Sequence, residues 1–345
     1  MSPPLIVTAE AELLDELLRL AAAAGVTPEV AADPGAALRA WTAAPLVVIG
    51  LDQAERMLRL GPARRPGLVL ATWQGAGEGA LRTALALGVA EVVELPKSGR
   101  RLVEQLTDLE DPLSPGARVL GVVAGSGGAG ATTFACALGQ HAARAGPALI
   151  VDADPLGPGL DRVLGLEDEP GVRWSDLVET SGHLSGRSLR EALPRRDGPA
   201  VLTWTGGRVD IPPPAAVREV LSSARRGHDL VVLDLPRSED PLVDELSARC
   251  DQLVVMTRPT VLSLASAARV CARFPRADRQ IVVRGRGVDH ATVTEVTGVP
   301  NVLVMGDQRR LDEWVDLGLG PLVSRRGALA RAVAAILDTV SEPRR

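Results

Sequence analysis

Residues 119–133 read Val-Leu-Gly-Val-Val-Ala-Gly-Ser-Gly-Gly-Ala-Gly-Ala-Thr-Thr. An apolar run, a turn carrying Gly125, Gly127, Gly128 and Gly130, and a run of small residues follow one another. The first is a strand candidate, and the stretch from Thr132 to Ala145 is a helix candidate. Glycine suits the turn because the backbone must bend tightly and let phosphate oxygens approach its amides. The following helix then points its N-terminal amides and positive dipole end at the anion. Gly125, Gly130, Ala131 and Thr132 have the spacing of a phosphate-binding loop, with alanine where lysine belongs. Thr132 stands where a hydroxyl would meet Mg²⁺.

Acidic residues end the next apolar runs. The strand candidate Ala148–Asp152, continued through Ala153-Asp154 (Ala-Leu-Ile-Val-Asp-Ala-Asp), brings Asp152 and Asp154 to its end, and the strand candidate Leu230–Leu235 brings Asp234 to the end of another. A lone aspartate after a strand is ordinarily a turn or helix-cap residue. Three in register with a glycine loop point instead to a ligand, because parallel strands present their carboxyl ends on one face. Further strand candidates lie at Val119–Val123, Ala200–Thr203, Gln252–Thr257, Gln280–Val283 and Asn301–Met305. With helices between them they predict a doubly wound α/β sheet. A helix at Gly327–Val340 follows, whose apolar stripe and diluted basic face predict packing on the domain rather than on a membrane.

Residues 1–108 form a second alternating unit. Leu5–Val7, Leu46–Ile49, Gly67–Ala71 and Glu91–Leu95 are strand candidates, with helices at Ala11–Ala24 and Gly79–Leu87 and another starting at Gly99. Asp108–Gly116 lacks periodicity and carries proline and glycine, so residues 109–117 read as a linker.

Composition narrows the partners. The chain has 345 residues and a formal charge of −5, which argues against a protein that coats nucleic acid. Tyrosine is absent and phenylalanine occurs twice, which argues against stacking on bases as the main binding mode. The three cysteines lack metal-ligand spacing, and residues 1–12 lack a basic region followed by an apolar core; both fit a cytoplasmic protein. Lysine occurs once, at Lys97, outside the glycine-loop domain.

Residues 118–345 resemble the MinD/ParA family of deviant Walker ATPases, and most of all its CpaE-type pilus-assembly branch and actinobacterial septum-site-determining proteins. The family motif Lys-Gly-Gly-x-Gly-Lys-Thr-Thr covers Ser126 to Thr133. Its signature lysine falls on Ser126 and its phosphate lysine on Ala131. The resemblance implies ATP and Mg²⁺ as ligands, with Gly125, Gly127, Gly128, Ala129, Gly130, Ala131, Thr132 and Thr133 around the phosphates. Asp152 and Asp154 match the catalytic switch aspartates. Asp234 matches the Walker B aspartate, acting on the metal indirectly beside Thr132. Arg284 stands at the base-reading position, where the family has asparagine. Residues 303–322, with Arg309–Trp314, resemble the segment near the base.

A lysine in such a loop offsets charge that develops during phosphoryl transfer, and losing a transition-state cation costs roughly 10³ or more in rate. The chain is therefore expected to be at most a weak ATPase. Two readings stay open: weak nucleotide binding with slow turnover, or a loop that is only a structural turn.

Residues 1–108 resemble a response-regulator receiver, again as in CpaE-type proteins, which implies a flavodoxin-like fold. One acid, Glu10, follows the first strand; Gly50 ends the third, with Asp52 two residues late; Leu95-Pro96 holds the place of the Lys-Pro pair. The expectation is a pseudo-receiver that accepts no phosphoryl group and docks proteins. Together the resemblances imply a cytoplasmic regulator of septum-site selection and cell division, or a localisation and assembly factor for a Tad-type pilus or secretion system. The implied partners are proteins of that machinery and a second copy in a homodimer. Membrane association would come through partners, and no specific nucleic acid is implied.

Overall fold

The computed structural model describes residues 2–73, 75, 78–110, 117–178, 184–206, 210–274 and 278–341. The chain divides into two compact units, Met1–Pro112 and Leu113–Arg345. The helix that closes the first unit runs Gly99–Glu110, so the expected linker begins as helix; residues 111–116 lie outside the described residues.

The first unit is a five-stranded parallel sheet: β1 Leu5–Val7, β2 Glu29–Ala31, β3 Val47–Gly50, β4 Leu68–Trp73 and β5 Glu91–Leu95, in the order β2-β1-β3-β4-β5. The strands are buried on both faces, which is why most read as continuous apolar runs. The helix Ala11–Ala23 covers one face through Leu13, Leu17, Leu20 and Ala21, at helical spacing. Sequence reading passes over β2, whose Glu29 and Val30 are exposed at the sheet edge. It also passes over the helices Pro34–Ala37 and Leu51–Leu60.

The second unit is a seven-stranded parallel sheet: β6 Arg118–Ala124, β7 Ala148–Asp152, β8 Ala200–Leu202, β9 Leu230–Leu235, β10 Gln252–Thr257, β11 Asp278–Arg284 and β12 Val302–Met305. Their order is β12-β11-β10-β6-β9-β7-β8. Side chains alternate between two cores. Val119, Val123, Leu149, Val151, Val231 and Leu233 face a core holding Trp174, Val217 and Leu264. Leu120, Val122, Ile150 and Val232 face the other, with Phe134, Leu138, Val333 and Ile336. The helix Ala328–Ser341 buries Leu329, Val333 and Ile336 in that second core and packs on the helix Ala131–Ala142. No helix among the described residues is long and apolar enough to cross a membrane.

The connection from β6 runs past β9 to β7 on one side, and the later connection from β9 crosses β6 to reach β10 on the other. Such a reversal opens a crevice at the carboxyl ends of the strands. The glycine loop leaves β6 at that place.

Candidate functional site

The loop runs from the end of β6 into the helix Ala131–Ala142, whose N-cap is Gly130. Gly128 (φ +69°) and Gly130 (φ +94°) take left-handed conformations that favour glycine. The Gly125 amide donates to the Met256 carbonyl at 2.7 Å, which ties the loop to β10. A side chain at 125 would meet Ala267, with Cβ 2.7 Å from Cβ. At Gly127 and Gly128 nothing lies within 4 Å of where a Cβ would sit, so the outer rim of the loop is open. Ala129 and Ala131 are buried with Phe134. Ser126, at the position of the family's first lysine, has its Oγ buried without a hydrogen-bond partner among the described residues.

Beneath the loop, Asp152 and Asp234 are register partners on the neighbouring strands β7 and β9. Asp234 accepts a hydrogen bond from the Thr132 side chain. Burial pushes its carboxyl up to about 7, opposed by that hydrogen bond and aided by the charges of Asp152 and Asp154. Burial likewise pushes Asp152 up to about 6. Hydrogen bonds from Thr203 Oγ1 (2.7 Å) and the Asp154 amide (3.0 Å) limit that rise. The Cys136 thiol lies fully buried near both acids; burial, then their charges, pushes it far up. The Asp154 carboxylate turns away to accept the Leu156 amide at 3.0 Å.

The backbone of Asp152 is clasped by two tryptophans. Trp174 Nε1 donates to its carbonyl at 2.8 Å and Trp204 Nε1 at 3.1 Å, and the two rings stack with centroids 5.7 Å apart. Trp174 thus buries its ring, and Trp204 half-buries its own, while each satisfies its N–H. Sequence reading misses Thr203, Trp174 and Trp204 as site residues. Thr203 could have been found, since it ends a strand candidate of the sequence; Trp174 opens a short helix, Trp174–Leu177, and Trp204 follows β8, with no motif to join them.

At the base end of the crevice, Arg284 closes β11. Its Nε donates to Asp307 at 2.7 Å. Its Nη1 lies 3.2 Å from where a Cβ of Gly130 would be. Behind it Phe134, Met256, Met305, Leu311 and Leu329 enclose a slit of about 10 Å³, which Thr133 also lines. That is space for about one water. The segment Arg309–Trp314 reaches this slit through Leu311, while Arg310 and Glu313 form an exposed ion pair.

The structure therefore brings together Gly125–Thr133, Asp152, Asp234 and Arg284, with Asp154 close enough for its charge to act on both buried acids. Loop amides, Thr132 and Asp234 are suited to a phosphate group with Mg²⁺. The slit itself has room for about one water, and Arg284 lies between it and the loop at Gly130. Among the described residues no three His, Cys, Asp or Glu side chains converge as a metal site.

In the first unit the corresponding crevice lies between β1 and β3. There Asp52 accepts hydrogen bonds from Thr8 Oγ1 (2.9 Å), the Ala9 amide (2.8 Å) and Gln53 Nε2 (2.9 Å). A side chain at Gly50 would collide with the Asp52 carboxylate and with Thr8. Burial, then the charge of Asp52, pushes Glu10 up. Lys97 is exposed and pairs with Glu94 at 2.9 Å.

Fold and site define the class: a CheY-like N-terminal unit joined to a MinD/ParA-type P-loop domain. The family model described as "Rv3660c-like, CheY-like N-terminal domain" matches residues 7–117. The Mycobacterium tuberculosis protein Rv3660c is 36% identical over 342 residues, covering 95% of each chain. The protein belongs to this Rv3660c-like family. A septum site-determining protein MinD of Nephroselmis olivacea is 25% identical over 207 residues, 57% of this chain and 76% of that one. The crystal structure of a ParA family ATPase from Chlorobium tepidum TLS superposes with a TM-score of 0.56 at 19% identity, over 64% of this chain and 98% of that one.

Proposed function

We propose that this protein is a regulator of septum-site selection that keeps the P-loop domain as a scaffold and turns over little or no ATP. The observation that carries this reading is the closed base slit, with Arg284 held by Asp307 against Gly130. Three further features support it. Neither loop position that would hold a lysine has one, and the domain contains no lysine elsewhere. Arg284, which reaches the loop at Gly130, is engaged with the Asp307 carboxylate, and a guanidinium is not a conservative replacement for an ammonium point charge. Asp152 and Asp234 lie buried beneath the loop, each already accepting a hydrogen bond from a threonine side chain, so neither stands as a free charge on the crevice surface.

The septum assignment rests on the relation in sequence to MinD, and the regulatory assignment on the first unit. There Asp52 is fully engaged by Thr8, Ala9 and Gln53, and the place of a phosphoacceptor side chain at Gly50 is filled. That unit serves docking rather than phosphoryl transfer. ATP and Mg²⁺ have at most a weak hold through the loop amides, Thr132 and Asp234.

The test is complementation. In cells depleted of the protein, wild type and Thr132→Ala are expected to restore septum position equally. Loss of septum placement in Thr132→Ala, with the variant folded and expressed at wild-type level, would show that nucleotide chemistry drives the role.

A further inference from the structure

Four basic side chains converge at the end of the P-loop domain opposite the loop. Arg118 opens β6, His141 and Arg144 lie at the C-terminal end of the helix that starts at the loop, and Arg325 precedes the last helix. With Asp229, Leu337 and Val340 they line a cavity of about 570 Å³. Small-molecule sites typically span about 300–1,000 Å³. The helix Ala131–Ala142 rises about 18 Å at 1.5 Å per residue, so the cavity lies a helix length from Thr132.

The charges in this cavity are unevenly matched. Arg118 and Asp229 are themselves engaged. Arg144 donates to the Leu322 carbonyl at 3.0 Å, and neither Arg144 nor Arg325 has a carboxylate partner among the described residues. Two guanidiniums facing one cavity repel unless an anion lies between them. Burial, then the charge of Arg325, holds Arg144 below its usual value. His141 is pushed down by burial and by Arg144 and Arg325, against the pull of Asp338. Its Nδ1 is shut from solvent and has no hydrogen-bond partner among the described residues. Leu337 and Val340 add an apolar wall beside the cations.

We propose that this cavity binds a small amphipathic anion, whose charged end bridges Arg144 and Arg325 and whose apolar part lies on Leu337 and Val340. The site is independent of the phosphate loop. Guanidinium pairs suit such a ligand because each forms charge-assisted, geometrically fixed hydrogen bonds to anionic oxygens.

The full chain can be titrated with 1-anilinonaphthalene-8-sulfonate, a sulfonate on an aromatic body. Saturable binding at one site per chain is expected. Both arginines are exposed, so Arg144→Gln and Arg325→Gln should fold, as circular dichroism would check. Each should weaken binding by about tenfold or more, the loss of one charge-assisted hydrogen bond. Thr132→Ala should leave binding unchanged. Absence of one-site binding, or binding indifferent to both arginine changes, or binding lost in Thr132→Ala, overturns the proposal. So does binding confined to vesicles containing phosphatidylglycerol, which would make the surface a membrane contact.

Discussion

Asp152 and Asp234 sit side by side as register partners on adjacent parallel strands, both buried and both carboxylates. Burial pushes them up to about 6 and about 7 from an ordinary 3.8. The folded state therefore holds protons there that the unfolded chain releases above about pH 4. Their contribution to stability is fully present below about pH 4 and is lost as pH rises through about 6 to 7. His228 acts oppositely. Burial pushes it down from 6.5 to about 4, so its contribution is lost as pH falls through that window. Asp234→Asn removes one term. Urea unfolding at several pH values between about 4 and 8 should show a flatter decline with rising pH in Asp234→Asn than in wild type. An identical slope would mean that Asp234 titrates alike in both states.

Arg284 and Asp307 close the base end of the crevice with one charge-assisted hydrogen bond between partly exposed groups. Such a pair is worth about 1 kcal/mol, or about fivefold in an equilibrium. Arg284→Ala is expected to tighten Mg-ATP binding by about fivefold, measured by calorimetry. Equal or weaker binding would mean that the guanidinium serves the phosphates instead of blocking the base.

Trp174 is fully buried and holds the Asp152 carbonyl. Trp174→Ala removes a large buried ring and leaves that carbonyl with Trp204 alone. The expected loss is about 3–5 kcal/mol in unfolding free energy. A loss under about 1 kcal/mol would show that the clasp is dispensable.

In the first unit, Gly50→Asp places a carboxylate where a receiver carries its phosphoacceptor. Because Asp52 and Thr8 fill that space, the variant should be destabilised by about 1–3 kcal/mol, as overpacked positions are. Intact-mass measurement after incubation of wild type with acetyl phosphate and Mg²⁺ should show no phosphoryl adduct. A stable adduct abolished by Asp52→Asn would restore the phosphoacceptor reading.

Much of this was legible because parallel strands buried on both faces leave continuous apolar runs. Ala148–Asp152, Leu230–Leu235 and Gln252–Thr257 have the same bounds in sequence and structure. The loop was legible because glycines at fixed spacing lay between a strand and a helix. β2 was not, since three residues with Glu29 and Val30 exposed carry no burial pattern. The clasp of Asp152 and the base slit were not either. Trp174, Trp204, Met256, Asp307 and Leu311 lie far apart in the chain and are joined only by strand order. Arg118, Arg144 and Arg325 are likewise distant in the chain, and only the fold sets them at one cavity.

Phosphate release from Mg-ATP, compared between wild type and Thr132→Ala, decides whether the loop is kept without turnover. Release should be indistinguishable from the protein-free background in both proteins. Turnover at a rate ordinary for MinD/ParA-type ATPases in wild type, lost in Thr132→Ala, would contradict it.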